Sequence, residues 1–379
     1  RPMQPTQRHP LALTHLVLPA LLFTACAQPH LPSSPPSSRV VDITAGASHT
    51  CMLLAGGQIQ CWGLNDNGQL GDGTLTNRAL PEDVIGMMVT AKAIAAGERH
   101  TCAVTTRAGV KCWGSNRDNQ LGDGTNIDRV APTDVAGLTS GMRAVAAGEQ
   151  HTCGLTAAGG VKCWGSNRKG QLGDGTGVDR NIPVDVAGLT SGVSAIAAGW
   201  QHTCAVTIAG EVKCWGENQD GQLGDGTAID KTFPVDVTGV NSVVRAIAAG
   251  ARHTCVLTVA GGVKCWGNNQ NGQLGDGSVT ARVTPLDVAG LTGNVSAIAA
   301  GKQHSCALDT SGTVKCWGDN RHREVGDDGE SETIRPMEVR GHSRNARALA
   351  AGGEHTCALS QDKIHCWGSN VYGQLGKKT

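Results

Sequence analysis

Short apolar segments recur through residues 40–379, and segments rich in glycine, asparagine and aspartate separate them. His-Thr-Cys, once His-Ser-Cys, begins at positions 49, 100, 151, 202, 253, 304 and 355, a period of 51 residues without slippage. Each unit holds four segments of strand length, such as Ala-Ile-Ala-Ala, His-Thr-Cys-Ala-Val-Thr, Val-Lys-Cys-Trp and Pro-Val-Asp-Val. No apolar residues recur at helical spacing. Four short strands per unit of about 50 residues are typical of a β-propeller blade.

Seven units therefore predict an all-β, seven-bladed propeller over residues 40–379, with four antiparallel strands in each blade. The fourth strand has the pattern Pro-x-(Asp/Glu)-Val and occurs six times, beginning at Pro81, Pro132, Pro183, Pro234, Pro285 and Pro336. The seventh blade is expected either to take a strand from residues 31–38 or to remain one strand short.

The composition changes this picture in two ways. The chain has 8 Trp, 2 Phe and 1 Tyr against 53 Gly and 15 Cys, so small residues, tight turns and crosslinks must replace a bulky aromatic core. Lys+Arg and Asp+Glu are equal at 32 each. This balance argues against a nucleic-acid partner, which normally requires a basic excess.

The string Ala-Gly-x-x-His-Thr-Cys, followed by Val-Lys-Cys-Trp-Gly-x-Asn-x-x-Gly-Gln-Leu-Gly-Asp-Gly-Thr, resembles the repeat of the regulator-of-chromosome-condensation family. The resemblance covers residues 40–379 and implies seven blades. For nuclear members it implies guanine-nucleotide exchange through a wedge inserted into the repeat. The unbroken 51-residue period leaves no room for such a wedge. Secreted propellers that inhibit β-lactamases have similar repeats and bind through an aromatic-rich rim.

Fourteen of the fifteen cysteines belong to the repeat. The two in each unit lie ten residues apart, except that Cys357 and Cys366 lie nine apart. The seventh unit lacks one residue, and the missing residue falls in the hairpin turn. Both spacings therefore keep the two cysteines opposite one another on paired strands. The predicted disulfides are Cys51–Cys61, Cys102–Cys112, Cys153–Cys163, Cys204–Cys214, Cys255–Cys265, Cys306–Cys316 and Cys357–Cys366. A metal site of one His and two Cys per blade is the alternative, but export favours oxidation, and no metal or other cofactor is expected.

The first 39 residues read as a targeting segment and a tether. A short basic region precedes the apolar residues 11–23, which predicts a signal peptide over residues 1–25. Phe23-Thr24-Ala25-Cys26 resembles a bacterial lipobox, so we expect lipidation of Cys26 and anchoring on the periplasmic or extracellular side of a membrane. Ordinary signal cleavage that leaves Cys26 free is the alternative. Residues 26–39 form a Pro/Ser-rich tether.

The sequence contains no phosphate-binding loop, no Gly-x-Ser-x-Gly and no unique nucleophile–His–acid set, so we expect no enzyme. Function must lie where the repeat varies. The two residues between Ala-Gly and His vary freely and predict a ring on one rim. The candidate binding residues in it are Glu98, Arg99, Glu149, Gln150, Trp200, Gln201, Arg252, Lys302, Gln303 and Glu354.

Trp200 is the tryptophan that lies outside the Cys-Trp-Gly set, and an exposed tryptophan in a polar ring is a candidate binding hot spot. Partial burial against a neighbouring loop is the alternative. The six residues from Arg321 to Gly326 also depart from the repeat, as a degenerate blade or a specific loop. The sequence thus predicts a monomeric, lipid-anchored module that binds a protein or a glycan. An enzyme inhibitor is the alternative, and nucleotide exchange ranks third.

Overall fold

The computed structural model describes residues 38–329, 331–341, 345–361 and 363–377, and within them it contains 27 strands and no α-helix. Blade one comprises β1 (Val40–Ala45), β2 (His49–Leu54), β3 (Ile59–Gly63) and β4 (Arg78–Asp83). Blade two comprises β5 (Ala91–Ala96), β6 (His100–Thr105), β7 (Val110–Gly114) and β8 (Arg129–Asp134). Blade three comprises β9 (Met142–Ala147), β10 (His151–Thr156), β11 (Val161–Gly165) and β12 (Arg180–Asp185).

Blade four comprises β13 (Val193–Ala198), β14 (His202–Thr207), β15 (Val212–Gly216) and β16 (Lys231–Asp236). Blade five comprises β17 (Val244–Ala249), β18 (His253–Thr258), β19 (Val263–Gly267) and β20 (Arg282–Asp287). Blade six comprises β21 (Val295–Ala300), β22 (His304–Asp309), β23 (Val314–Gly318) and β24 (Thr333–Glu338). Blade seven comprises β25 (Ala346–Ala351), β26 (His355–Ser360) and β27 (Lys363–Gly368).

Each blade is an antiparallel sheet with its strands in sequence order. The prediction of an all-β, seven-bladed propeller is therefore confirmed. The seventh sheet has three strands among the described residues, and residues 31–37 lie outside them. The signal peptide of residues 1–25 and the tether up to residue 37 lie outside them as well and stay predictions. No helix in the described part of the chain could span a membrane.

The first strands of neighbouring blades contact one another round the whole circle, including β25 and β1. They surround a central channel. We call the end of the channel beside Ala45, where β1 ends, the upper mouth, and the end beside Val40, where β1 begins, the lower mouth. Hairpin turns between second and third strands lie at the lower end.

The paired cysteines stand opposite one another in each hairpin. Cys153 faces Cys163 in the β10–β11 pair, and the sulfur atoms are bonded. The shorter seventh hairpin places Cys357 opposite Cys366 in the same way. All seven predicted pairs are bonded. Closing a loop of about 11 residues contributes up to about 2.8 kcal/mol in the chain-entropy model, which offsets a thin core.

The tryptophan of each Cys-Trp-Gly packs between blades. Trp113 of blade two packs against the Cys51–Cys61 disulfide of blade one. Its indole Nε1 donates a 3.0 Å hydrogen bond to the carbonyl oxygen of Gln69. The tryptophan thus joins two blades through both its apolar ring and its polar edge.

A ring of hydrogen bonds between histidines and hydroxyl groups also joins the blades. His49 Nε2 lies 2.9 Å from Thr101 Oγ1 of the next blade. That hydroxyl donates to the Gln69 carbonyl at 2.8 Å, so its oxygen accepts from the imidazole, and the histidine carries its proton on Nε2. The link recurs from blade to blade, with Ser305 supplying the hydroxyl in blade six.

The same bond joins the last blade to the first. His355 Nε2 lies 2.8 Å from Thr50 Oγ1, which donates to the carbonyl of Gln374 at 2.9 Å. Trp62 Nε1 donates to that carbonyl as well, at 2.9 Å. The last and first blades are therefore joined by the same kinds of contact as all the other neighbouring blades.

The close approach of the blades explains the glycine in Ala-Gly-x-x-His. A Cβ atom on Gly148 would lie 2.5 Å from His151 Cε1 and 2.5 Å from the carbonyl oxygen of Gly199 in the next blade. No side chain fits there, because real Cβ atoms do not approach backbone so closely. The glycine lets the imidazole and the neighbouring backbone meet.

The seven imidazoles of the ring are buried and uncharged. Each Nδ1 lacks a hydrogen-bond partner among the described residues, so a second N–H would have no acceptor. Burial lowers the pKa of His49 and His151 to about 4. It lowers the pKa to about 3 at His100, His202, His253, His304 and His355.

The low pKa of these histidines in the folded protein predicts that its stability falls in acid. Unfolded histidines titrate near pH 6.5 and the folded ones near 3 to 4, so stability is complete above pH 6.5 and falls as the pH drops below that value. Each histidine contributes a loss of up to about 1.4 kcal/mol per pH unit. Urea unfolding at pH 7.5, 6.5 and 5.5 measures the slope. His322→Gln, a change at an exposed histidine, should leave it unaltered. Equal stability at pH 7.5 and 5.5 would contradict the assignment.

Candidate functional site

The upper mouth of the channel is a cavity of about 340 Å³. Its wall is built by the Ala-Gly ends of the first strands and by the first variable residue of each blade. Those residues are Ala47, Glu98, Glu149, Trp200, Ala251, Lys302 and Gly353. The small residues of this set, Ala47, Ala251 and Gly353, leave an open cavity that the larger side chains only partly fill.

The predicted ring divides into two sets. Glu98, Glu149, Trp200, Lys302 and Glu354 line the cavity, whereas Arg99, Gln150, Gln201, Arg252 and Gln303 do not. Successive residues of an extended chain point in opposite directions, so the second residue of most pairs faces a neighbouring loop. Arg99 pairs with Asp66 at 3.0 Å, and Arg252 pairs with Asp220 at 3.3 Å. The variable pairs thus contribute one set of residues that lines the cavity and a second set that includes ion pairs with neighbouring loops.

Trp200 lies half-buried at the mouth. The ammonium nitrogen of Lys302, two blades further on, lies 5.0 Å from the centre of its ring. The intervening residue is Ala251, whose small side chain leaves room for this contact. A cation over an aromatic face at this distance is attractive. The tryptophan thus presents part of its ring to the cavity and part to Lys302.

Two carboxylates occupy the neighbouring sector. Glu98 and Glu149 stand on adjacent blades, and Gln201 Nε2 donates to Glu149 Oε2 at 3.3 Å. Burial, followed by the charge of Glu98, raises the pKa of Glu149. The mouth therefore combines an aromatic ring and an ammonium on one side with acidic groups on another.

The sequence interpretation missed several polar residues near this rim. Tyr372 lines the cavity, and Glu217 is buried within 3.5 Å of Arg252. Asp319 is buried beside Arg321, which pairs with it at 2.5 Å. The sequence position that follows Cys-Trp-Gly could have identified these acids. Glu217 and Asp319 occupy it in blades four and six, whereas blades two and three have serine there.

Glu324 of the divergent blade-six loop takes the position that the other blades give to glutamine. It is buried, and its Oε2 accepts from the backbone N–H of His322 at 2.7 Å. In blade five the corresponding Gln273 donates its amide to Asn268 at 2.8 Å. A carboxylate cannot donate in this way, and burial raises the pKa of Glu324 to about 7.

The aspartates of Gly-Asp-Gly stabilise the turns in which they lie. Each accepts from a basic side chain of the fourth strand: Asp72 from Arg78, Asp123 from Arg129, Asp174 from Arg180, Asp225 from Lys231 and Asp276 from Arg282. Among the described residues, no group of three or more His, Cys, Asp or Glu side chains could hold a metal ion. These carboxylates therefore brace loops.

Seven blades closed by a repeated His–Thr–Trp interface define a β-propeller of one repeated sequence. Residues 145–379 match the RCC1-like domain, and residues 40–69, 91–120, 56–104 and 110–155 match the regulator of chromosome condensation (RCC1) repeat. The chain belongs to this family.

Relatives match most of the chain. The chain is 31% identical over 351 residues to the ultraviolet-B receptor UVR8 of Arabidopsis thaliana, a match that covers 90% of this chain and 79% of the receptor. It is 33% identical over 341 residues to the E3 ubiquitin-protein ligase HERC2 of Homo sapiens, but spans 7% of that protein. The structure of Prp20p from Saccharomyces cerevisiae, described with its binding to Gsp1p and histones, has a TM-score of 0.74 at 25% identity and covers 84% of this chain and 82% of Prp20p.

Glu324→Gln should stabilise the protein above neutral pH. The glutamate titrates near 4.5 when unfolded and near 7 when folded, so its ionisation lowers stability as the pH rises through this interval. Glutamine removes that cost and restores the amide of the other blades. Urea unfolding at pH 8 should show a gain that shrinks at pH 5. Gln273→Glu is the matched control and should destabilise at pH 8. A less stable Glu324→Gln protein at pH 8 would contradict this account.

Proposed function

We propose that this protein is an exported, non-enzymatic binding propeller, held to a membrane by a lipid on Cys26, whose partner contacts the upper mouth at Trp200. The observation that carries the proposal is the mouth itself. Its residues differ from blade to blade in an otherwise uniform repeat, and Trp200 offers part of an aromatic ring among polar groups.

The absence of an enzymatic role is supported by how the repeat uses its polar residues. The ring histidines are buried and hydrogen-bonded to hydroxyl groups, which leaves none of them exposed as a general base. The turn aspartates accept from basic side chains at the start of the fourth strand. These groups have structural tasks, which is the expected state of residues repeated in every blade.

Export is supported by the disulfides. Seven cross-strand pairs are typical of an oxidising compartment, because cytosolic thiols are kept reduced. The apolar residues 11–23 and the lipobox-like Phe23-Thr24-Ala25-Cys26 supply the signal. Residues 26–39 then tether the propeller to the lipid.

A protein partner fits the mouth better than a glycan. Relatives built on this propeller include a receptor and Prp20p, described with its binding to Gsp1p and histones. The carboxylates of Glu98 and Glu149 lie in the same cavity as Trp200. Together they suit a basic side chain from a partner loop, whose stem packs on the indole while its charge meets the acids.

Trp200→Ala should weaken the partner complex about thirtyfold, because truncating an aromatic anchor commonly costs about 2 kcal/mol. Titration of a partner captured from envelope extracts measures the effect. Ile208→Ala is the matched control, since Ile208 is 76% exposed at the opposite end of the propeller. The melting temperature should hardly change in either variant. Unaltered affinity together with collapsed stability would show that Trp200 is a core residue.

The anchor is tested separately. Intact-mass analysis of the mature protein extracted from membranes should find an N-terminal Cys26 carrying a diacylglyceryl group. Cys26→Ser should move the protein to the fraction released by a high-salt wash. An unmodified N-terminus at any other residue would contradict the lipid anchor and leave the Trp200 test unaffected.

A further inference from the structure

A ring of basic side chains surrounds the lower mouth of the channel. The second residue of the first strand is Lys92, Arg143, Arg245 and Arg347 in blades two, three, five and seven. All four are exposed. They lie at the opposite end of six-residue strands from the Trp200 cavity, about 15 to 20 Å away.

Each basic side chain reaches towards the following blade. Lys92 Nζ donates to the carbonyl of Met142 at 3.1 Å. Arg143 donates to the carbonyl of Ser194 at 2.6 Å, and Arg245 to that of Val295 at 2.7 Å. Arg347 donates to the carbonyl of Val40, across the junction of the last and first blades. These bonds hold the positive groups at the rim of the channel.

The propeller does not need a cation at this position. Ser194 takes it in blade four, and its hydroxyl lies 3.0 Å from the carbonyl of Val206 within the same blade. Ser296 does the same in blade six with Leu308. Blade one has Val41 there. Three blade junctions form without the basic side chain, so closure of the ring does not require a cation at this position.

Three of the four basic groups at the lower mouth bond to backbone carbonyl groups and not to carboxylates of the described residues. Lys92, Arg143 and Arg245 make no salt bridge to a carboxylate of the described residues, whereas basic residues of the turns pair with aspartates. Acidic residues at this end include Asp42 in β1, Glu211 in the turn before β15 and Asp309 at the end of β22. Burial raises the pKa of Asp42, and its Oδ1 accepts a 2.9 Å hydrogen bond from the backbone N–H of Ile43. Asp309 is bound by Ser311 at 2.6 Å and by the backbone of Thr313.

We propose that the lower mouth is a second binding site, which takes an aspartate- and glutamate-rich segment of a partner protein. The cations are spread over four blades of the ring, so their ligand carries several negative charges and a single carboxylate does not match it. Guanidinium groups bind carboxylates in a two-point geometry. The chain as a whole is neutral, so the long-range attraction that recruits nucleic acid is missing, and the match is local.

The test uses a fluorescent deca-aspartate peptide and the full chain. Fluorescence anisotropy should detect binding at 50 mM NaCl that weakens steeply at 300 mM, as expected for ion pairing. Arg143→Ser combined with Arg245→Ser introduces the residue that blades four and six already have, so the fold should persist. This double variant should bind the peptide at least tenfold more weakly, with a melting temperature close to that of the unchanged protein.

Arg117→Gln combined with Arg168→Gln removes the same charge from exposed sites at the other end and should change affinity less than twofold. Trp200→Ala should not alter peptide binding, which separates this site from the proposed upper one. Equal losses in the two double variants would overturn the site, as would no binding at low salt. Duplex DNA or phosphatidylglycerol vesicles that bind as tightly as the peptide would overturn the assignment to a protein segment.

Discussion

The hydrogen bond from a buried imidazole to the hydroxyl of the next blade organises the whole molecule. The hydroxyl donates its own hydrogen bond to the carbonyl oxygen that also accepts from the indole N–H, as at Gln69 with Thr101 and Trp113. One backbone oxygen therefore sets the position of two side chains from the neighbouring blade. The glycine of each Ala-Gly-x-x-His follows from this geometry, because it leaves room for the imidazole. The disulfide of the preceding blade follows from it as well, because it packs against the apolar face of the indole.

The fold could be predicted because its signal is periodic. The 51-residue period defines the strands of each blade. The nine-residue Cys357–Cys366 interval defines the hairpin register and the disulfide pairs, and neither inference needs knowledge of contacts between distant residues. The mouth could be predicted only in part. The variable pairs identified Trp200 and Glu149, but not that Arg99 and Arg252 turn away to pair with aspartates of the loops. That depends on side-chain direction at the end of a strand, which a pattern of identities does not contain.

Glu324 illustrates a second limit. Its replacement of glutamine is visible in the sequence, yet its consequence depends on burial and on the neighbouring Asp319, which only the folded chain brings close. The basic ring was overlooked for a related reason. Lys92 and Arg143 are 51 residues apart and look like isolated surface charges until the inner strands are arranged round a channel. The two mouths differ in charge although the chain is neutral.

The junction between the last and first blades has a mechanical consequence. Near the channel, the hydrogen bonds His355–Thr50, Trp62–Gln374 and Arg347–Val40 hold this junction. Blade seven has three strands among the described residues, whereas every other blade has four. Tension applied to the chain ahead of Val40 would enter the propeller at β1, which shares it between its hydrogen-bonded partner β2 and the junction with blade seven. The disulfides lie within single hairpins and would bear none of that load between blades. Resistance to pulling thus depends on the polar contacts across this junction together with the apolar residues packed there, among them Val40, Trp62 and Leu359.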